Sequence, residues 1–282
     1  MAGHDARITK RYRLGSEPFL RIAVVSDFHD GDWESALAAV RKEAPDLILM
    51  PGDTIERNDP ERCPDTQREL QRWRGMSAWR IWMERALNLV NELAGGGRRR
   101  RLEHRDSGLL LIEGLAERTP VFVSVGNHEW YFEEEDLRRI KACGARLLDN
   151  ADTEAVVSGR RLRIGGLSTR YDLDWLRRFA AKDGEKILLC HHPELYPRLI
   201  RDEMGERFSL IVSGHVHGGQ WRIFGRPLYG PGIGFFPKYG YGCFEDRLVV
   251  SAGMTNSTAF PRLWNPCELV IVEVGAGHGD RN

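Results

Sequence analysis

Short runs of β-branched and aliphatic residues recur along this chain, and five of them stop abruptly on a polar block. The blocks are Asp27-Phe28-His29, Gly52-Asp53, Gly126-Asn127-His128-Glu129, His191-His192-Pro193 and Gly214-His215-Val216-His217. The runs before them, residues 19–26, 46–50, 121–125, 187–190 and 208–212, are too short for helices and read as buried strands. Between the first two, residues 33–43 have helical spacing and stop before Pro45. Strand, loop, helix, strand predicts parallel strands with helices packed on them, an α/β fold. That rhythm also predicts where a site can form. In open α/β sheets ligands bind beyond the carboxyl ends of the strands, and all five blocks fall there. Gly52, Gly126 and Gly214 are expected to permit the tight turns.

Further strands are expected at residues 154–157 and 161–165, turning at Ser158-Gly159, and at 248–251 and 268–274. The first ten residues are polar, and the tail from Gly275 is polar and glycine-rich. Two stretches do not fit a plain sheet. Residues 57–118 read as a helical insertion: Leu70, Trp73, Met76, Trp79, Trp82, Met83, Leu87, Val90 and Leu93 have amphipathic spacing. Their tryptophans are expected to pack on the domain, the alternative being a lid or a membrane-facing stripe. Arg98 to Arg101 read as a solvated loop. Residues 225–242 form a Gly/Pro/aromatic loop with Phe235 and Phe236, either a plug of the core or an exposed patch.

The 282 residues suit one α/β domain, and a formal net charge of zero sets up no global field toward nucleic acid. No nucleic-acid partner is expected. Arginine far outnumbers lysine, which fits codon bias or recognition of phosphate by guanidinium. The five cysteines are odd in number and show no CxxC pair, so a reduced chain without a thiolate zinc site is expected. No apolar run approaches the ~20 residues a spanning helix requires. A soluble, cytoplasmic protein is expected, with peripheral membrane contact left open. The oligomeric state is not legible.

The five blocks offer carboxylate, amide oxygen and imidazole and no thiolate. That donor set suits Mn, Fe or Zn, and it suits two divalent ions better than one. In this order the blocks resemble the calcineurin-like metallophosphoesterase superfamily. Gly214-His215-Val216-His217-Gly218-Gly219-Gln220 and Phe236-Pro237-Lys238-Tyr239-Gly240 look like its bacterial predicted phosphohydrolase branch. The resemblance runs from about Ile22 to Val274, apart from the insertion. It implies a four-layer sandwich of two mixed β-sheets flanked by helices.

The resemblance also implies roles. Asp27, His29 and His217 would hold one ion, and Asn127, His191 and His215 the other. Asp53 would bridge them, with a water or hydroxide between. His191, two positions before Pro193, is the implied ligand rather than His192. His128 would bind the phosphate and protonate the leaving oxygen. Arg57, four residues after Asp53, is similar to the arginine of the Gly-Asp-x-x-Asp-Arg motif of protein Ser/Thr phosphatases, with Glu56 and Asn58 departing from that motif. It would touch the substrate phosphate. Two divalent ions against two carboxylates and a hydroxide leave about one net positive charge, which suits a phosphate anion. The implied function is hydrolysis of a phosphodiester or pyrophosphate bond of a small or lipid-linked phosphorylated substrate by a metal-activated hydroxide. A phosphomonoesterase or protein phosphatase, which Arg57 would favour, and a non-catalytic binding scaffold are the alternatives. Read singly, His215 and His217 are two apart and would share one side of an extended segment.

Overall fold

The computed structural model describes residues 7–58, 77–93, 106–231 and 233–276. The first sheet contains β1 (Arg7–Leu14), β2 (Ser16–Val24), β3 (Leu47–Met50), β4 (Val121–Ser124) and β5 (Arg146–Leu148). The second contains β6 (Ala151–Val157), β7 (Arg160–Leu167), β8 (Glu185–Cys190) and β9 (Leu210–Ser213). Two short hairpins follow, β10 (Arg222–Ile223) with β11 (Arg226–Pro227) and β12 (Tyr229–Gly230) with β13 (Gly234–Phe235). β14 (Gly242–Phe244) and β15 (Leu248–Val250) complete the second sheet, and β16 (Cys267–Ala276) returns to the first.

The sheet orders are β1-β16-β2-β3-β4-β5 and β14-β15-β9-β8-β7-β6. β2 to β5 are mutually parallel, as are β7, β8, β9 and β15, whereas β16 runs antiparallel to β2. Parallel strands must be covered on both faces, and period-two alternation covers them here. Leu20, Ile22, Val24, Leu47 and Leu49 meet Ile164, Ile187, Leu189 and Val212 between the sheets. Ala23, Val25, Ile48 and Met50 face the opposite way. They pack beneath α1 (Trp33–Lys42), α3 (Ser107–Ala116) and α4 (Glu134–Ala142). α5 (Leu173–Ala180) covers the far face of the second sheet with Trp175, Leu176 and Phe179. Helix, sheet, sheet, helix is the expected four-layer sandwich.

Among the elements that were not expected are β1, α4 and α5. β1 pairs all eight of its residues with β16, but its outward positions Lys10, Arg11 and Arg13 make it read as polar. Charge on an edge strand blocks pairing with other chains. α4 buries little beyond Asp136 and Ile140, and a reciprocal Glu133–Asp136 capping box starts it. α5 is short and is started by Asp172, which accepts from the backbone N–H of Asp174 and Trp175. The tail is shorter than expected, since Gly275 and Ala276 still pair with β2.

Both edges of the stretch expected as an insertion belong to the body. Arg57 is 1% exposed, and α3 buries Leu109, Leu111, Ile112 and Leu115. α3 is apolar almost all round, so amphipathic spacing passes over it. Between these edges lies α2 (Ala78–Leu93). Trp79 and Trp82, expected to pack on the domain, are exposed at 61% and 68%. Leu70, Trp73, Met76 and Arg98 to Arg101 lie outside the described residues. Phe235 and Phe236 form no plug; both are exposed. Among the described residues no helix is long and apolar enough to cross a membrane.

Candidate metal centre

The carboxyl ends of β2, β3 and β4 meet those of β8 and β9 along one edge of the sandwich, and the five blocks form the loops there. Cross-loop backbone bonds lock them: Asp27 N–H to Gly52 O (3.2 Å), His29 N–H to Asp53 O (2.9 Å) and Gly214 N–H to His191 O (3.1 Å). The loops approach so closely that two glycines are obligatory. A Cβ on Gly214 would lie 1.9 Å from Ser26 Oγ, and one on Gly126 would lie 2.2 Å from Asp53 Oδ1. The backbone is also strained. Asp27, His29, Asp53, His215 and His217 all have positive φ, between 48° and 70°. Such left-handed residues cost on the order of 1 kcal/mol or more each, and they concentrate at functional sites.

Two donor clusters result. In the first, His29 Nε2 faces His217 Nε2 at 3.2 Å, and His217 Nε2 lies 3.4 Å from Asp27 Oδ1. In the second, His191 Nε2 lies 3.2 Å from both Asn127 Oδ1 and Asp53 Oδ2. His215 turns its Nε2–H to Pro231 O (3.1 Å), which leaves Nδ1 for the cluster. Asp27, His29 and His217 gather donor atoms within 4.8 Å of one another, as do Asp53, His191 and His215. Asp53 joins the two. Its Oδ1 accepts from the His128 backbone N–H (2.8 Å), while Oδ2 lies 3.2 Å from His191, 3.8 Å from His29 and 3.9 Å from His128. The 3.2 Å between His29 and His217 fits neighbouring ligands on one ion with metal–nitrogen bonds of ~2.1 Å. A dense set of imidazole and carboxylate donors, with no thiolate among them, suits divalent cations.

His215 and His217 do not share one side of an extended segment. β9 ends at Ser213, Val216 is helical and both histidines have positive φ, so their rings diverge into different clusters. His192 is turned aside: its Nε2 accepts from Thr169 Oγ1 (2.8 Å) and its Nδ1 donates to Glu194 Oε1 (3.0 Å). With His215 these two form a further three-donor group.

Arg57 does not fit the role of a phosphate ligand. Its Nε and Nη2 each donate to Asp136 at 2.7 Å, and the pair is buried, with side-chain exposures of 2% and 3%. A second carboxylate, Asp106, lies 3.4 Å away. The guanidinium fork is fully engaged beside α4.

Several supporting residues were missed by sequence reasoning. Glu129 is buried and accepts from the backbone N–H of Asp53 (2.9 Å), Thr54, Ile55 (3.0 Å) and Gly126 (2.7 Å), which clamps two ligand loops together. Glu56 accepts from His29 Nδ1 (2.7 Å) and His128 Nδ1 (2.9 Å), so each ring keeps Nε2 toward the centre. Asp30 accepts from Glu56 N–H (2.9 Å) and from Gly108 N–H at the start of α3 (2.7 Å). Arg262 reaches His217 Nδ1 from a distant loop. An acid beside each motif was the available signal for the first three; Arg262 had none.

The charges are strongly coupled. Burial opposes ionisation of Asp53, but His191, His128 and His29 outweigh it and hold the carboxyl well below its usual range. Asp27 is likewise lowered, against burial, by His217, His191 and His29. Loss of water opposes charge on His128, yet Glu56 and Asp53 push its pKa up to about 9. Burial, against Asp27 at His217 and with His192 at His215, pushes His215 and His217 down to about 3, the neutral form a ligand requires, whereas Asp53 and Asp27 outweigh burial at His191 and raise it to about 9.

The family model for calcineurin-like phosphoesterases matches residues 20–219, which include all five blocks. Two curated relatives align with parts of the chain. The Caenorhabditis elegans protein F40B5.2, provisionally named a metallophosphoesterase, is 27% identical over 167 residues, 54% of this chain and 34% of its own length. The uncharacterized protein YpbG of Bacillus subtilis is 31% identical over 117 residues, 40% of this chain and 43% of its own. The chain thus spans less than half the length of these relatives. Among solved structures, the sulfate thiohydrolase SoxB of Thermus thermophilus in complex with glycerol aligns at a TM-score of 0.44 and 10% identity, over 93% of this chain and 58% of that one. The phosphopantetheinyl hydrolase PptH of Mycobacterium tuberculosis aligns at 0.38 and 11%, over 70% of this chain and 82% of that one.

Proposed function

This chain belongs to the calcineurin-like phosphoesterase family, and from that premise we propose that it is a dinuclear metal-dependent hydrolase of phosphodiester or pyrophosphate bonds in a small or lipid-linked substrate. The observation that carries the reading is Asp53, whose Oδ2 is shared between two imidazole clusters. Asp27, His29 and His217 would hold one ion, Asn127, His191 and His215 the other, and Asp53 both. When bound, the ions supply Lewis acidity that makes water a nucleophile near neutral pH and offsets the charge of the phosphate.

The chain's own residues do the rest. Glu56 fixes the rings of His29 and His128 by their Nδ1 atoms. His128 Nε2 then faces the space between the clusters, and its side chain keeps 31% exposure, open to substrate. Charged at neutral pH, His128 can bind the phosphate and give its proton to the departing alkoxide oxygen. The monoester reading leaned on Arg57, and that side chain is engaged by Asp136. Diester or anhydride hydrolysis therefore comes first. The test combines metal content with turnover of bis-p-nitrophenyl phosphate and p-nitrophenyl phosphate, for wild type and Asp53→Asn. About two ions per chain and diester turnover abolished by the substitution are expected. A metal-free, inactive wild type would leave only the scaffold reading.

A further inference from the structure

Three aromatic side chains beside the metal centre are held out in water on a backbone that resists them. Phe224, Phe236 and Trp264 have φ of 49°, 53° and 53°, a left-handed conformation that bulky residues rarely adopt. Burial would repay that strain, yet Phe224 is fully exposed, Trp264 is 80% exposed and Phe236 58%. Phe235 is exposed as well, its ring centroid 6.5 Å from that of Phe236. Backbone bonds stitch these segments together. Arg222 N–H donates to Leu263 O (3.0 Å), Leu228 N–H to Trp221 O (2.8 Å) and Phe236 N–H to Leu228 O (2.9 Å). Phe224 lies in the turn between β10 and β11. Together they rim the centre: Pro231 O accepts from His215, Asn265 donates to the His217 carbonyl, and Gln220 Nε2 donates to Phe260 O (2.7 Å).

The charge of the rim is one-sided. The chain as a whole is formally neutral, but neither residues 214–241 nor residues 251–266 contain an Asp or Glu. Arg226 and Lys238, both exposed, stand in the same run as the aromatics. Glu245, the first acid after that run, accepts from Tyr196 Oη (2.6 Å) and from Arg201 (3.3 Å). Projecting aromatics with cations and no acid complement an anionic lipid surface, where rings settle at the headgroup level and cations are drawn to phosphate. A hairpin tip forms no pocket for a partner protein's side chain to fill, but it can insert between headgroups.

We propose that this rim, the β10–β11 tip together with Phe235, Phe236 and Trp264, docks on an anionic phospholipid surface and so brings the metal centre against phosphates at the headgroup level. The proposal deepens the lipid-linked substrate of the reading above and rests on that reading for its chemistry, though not for the docking itself.

The test is flotation with vesicles of phosphatidylcholine, alone or with added phosphatidylglycerol, in parallel with turnover of soluble bis-p-nitrophenyl phosphate in Mn²⁺. Wild type should float with the anionic vesicles, more weakly with the neutral ones, and come off the anionic ones as salt is raised. Phe224→Ser combined with Trp264→Ser should weaken binding about tenfold for each ring. Arg226→Gln combined with Lys238→Gln should weaken binding to the anionic vesicles about fivefold for each charge. Both variants should keep the wild-type Tm and its turnover of the soluble diester, since none of the four side chains is a ligand. A wild type that hydrolyses the diester but floats with neither vesicle would overturn the docking and leave the dinuclear reading standing. Flotation unchanged in both variants would also overturn it and move the contact to another face, such as Trp79 and Trp82 of α2. A wild-type dimer that the serine variant dissociates would overturn it too and assign the rim to a second copy of the chain. A wild type that floats as expected but hydrolyses nothing would support the docking and overturn the hydrolase reading. If the serine variant does not fold, the charge variant and the wild type still decide.

Discussion

The two sheets meet at one edge, but they bring different chemistry to it and brace it differently. The first sheet supplies the acids Asp27 and Asp53 together with His29 and Asn127. Carboxylates clamp its loops onto one another through backbone amides: Glu129 takes four N–H groups, and Asp30 takes two. The second sheet supplies His191, His215 and His217; the His215 ring is held by Pro231 O, the His217 ring by Arg262, and the His217 carbonyl by Asn265, while His191 Nδ1 has no partner. Ser213, at the end of β9, leaves a buried hydroxyl without a partner. The first half is a preorganised scaffold with many satisfied amides; the second is a set of ligands delivered by strand ends. The difference teaches that the ligands on the two sheets depend on their surroundings to different degrees, and that can be measured.

The largest effect should come from Glu129→Ala. It strands four buried N–H groups, each worth about 1–3 kcal/mol when unsatisfied, so the variant should lose most of its stability in urea denaturation and its activity with it. The matching change on the second sheet, Ser213→Ala, removes a hydroxyl that bonds nothing and should shift stability by less than about 1 kcal/mol. Comparable losses in the two variants would break the contrast.

Arg57→Ala comes next. It leaves Asp136 buried and unpaired, which costs about 3–5 kcal/mol. Stability should fall by that amount, while the KM of whatever folded enzyme remains stays near the wild-type value. A raised KM with unchanged stability would return Arg57 to the phosphate. Metal should act on the strained loops of both halves at once. Mn²⁺ at a hundred times its Kd should stabilise the fold by about 2.7 kcal/mol per ion, read as a higher Tm that chelation reverses.

Glu56→Gln sharpens the comparison within the first sheet. Outer-shell changes of this kind cost about 10–100-fold, so kcat and Mn²⁺ affinity should fall together, because Glu56 serves both His29 and His128. The smallest effect is in pH. The His128 pKa is raised to about 9, so the acid is charged below that value and loses its proton as pH rises through it. Bound cations can only push that value down. kcat should therefore decline on an alkaline limb at or below about pH 9, and His128→Gln should lack the limb.

Much of the layout was legible in the residues. Aliphatic runs that alternate faces read directly as strands such as 46–50 and 187–190, and the polar blocks at their ends named every residue that the two clusters gather. Elements whose sequences advertise something else were not legible. β1 reads as a polar terminus because an edge strand keeps one side in water. α3 reads as part of an insertion because a helix apolar almost all round has no amphipathic stripe. Arg57 reads as a phosphate ligand by motif, since nothing near it in sequence reveals Asp136, 79 positions away.

What the sequence determined by itself is therefore local: the period of each strand, the glycines where loops must touch, and the donor types offered at each strand end. The tertiary structure alone decided which nitrogen of each histidine faces the centre, because the partner of the other nitrogen comes from a remote segment: Glu56 for His29, Pro231 for His215, Arg262 for His217. A side chain carries its own chemistry wherever it stands, but its proton goes where the neighbours put it.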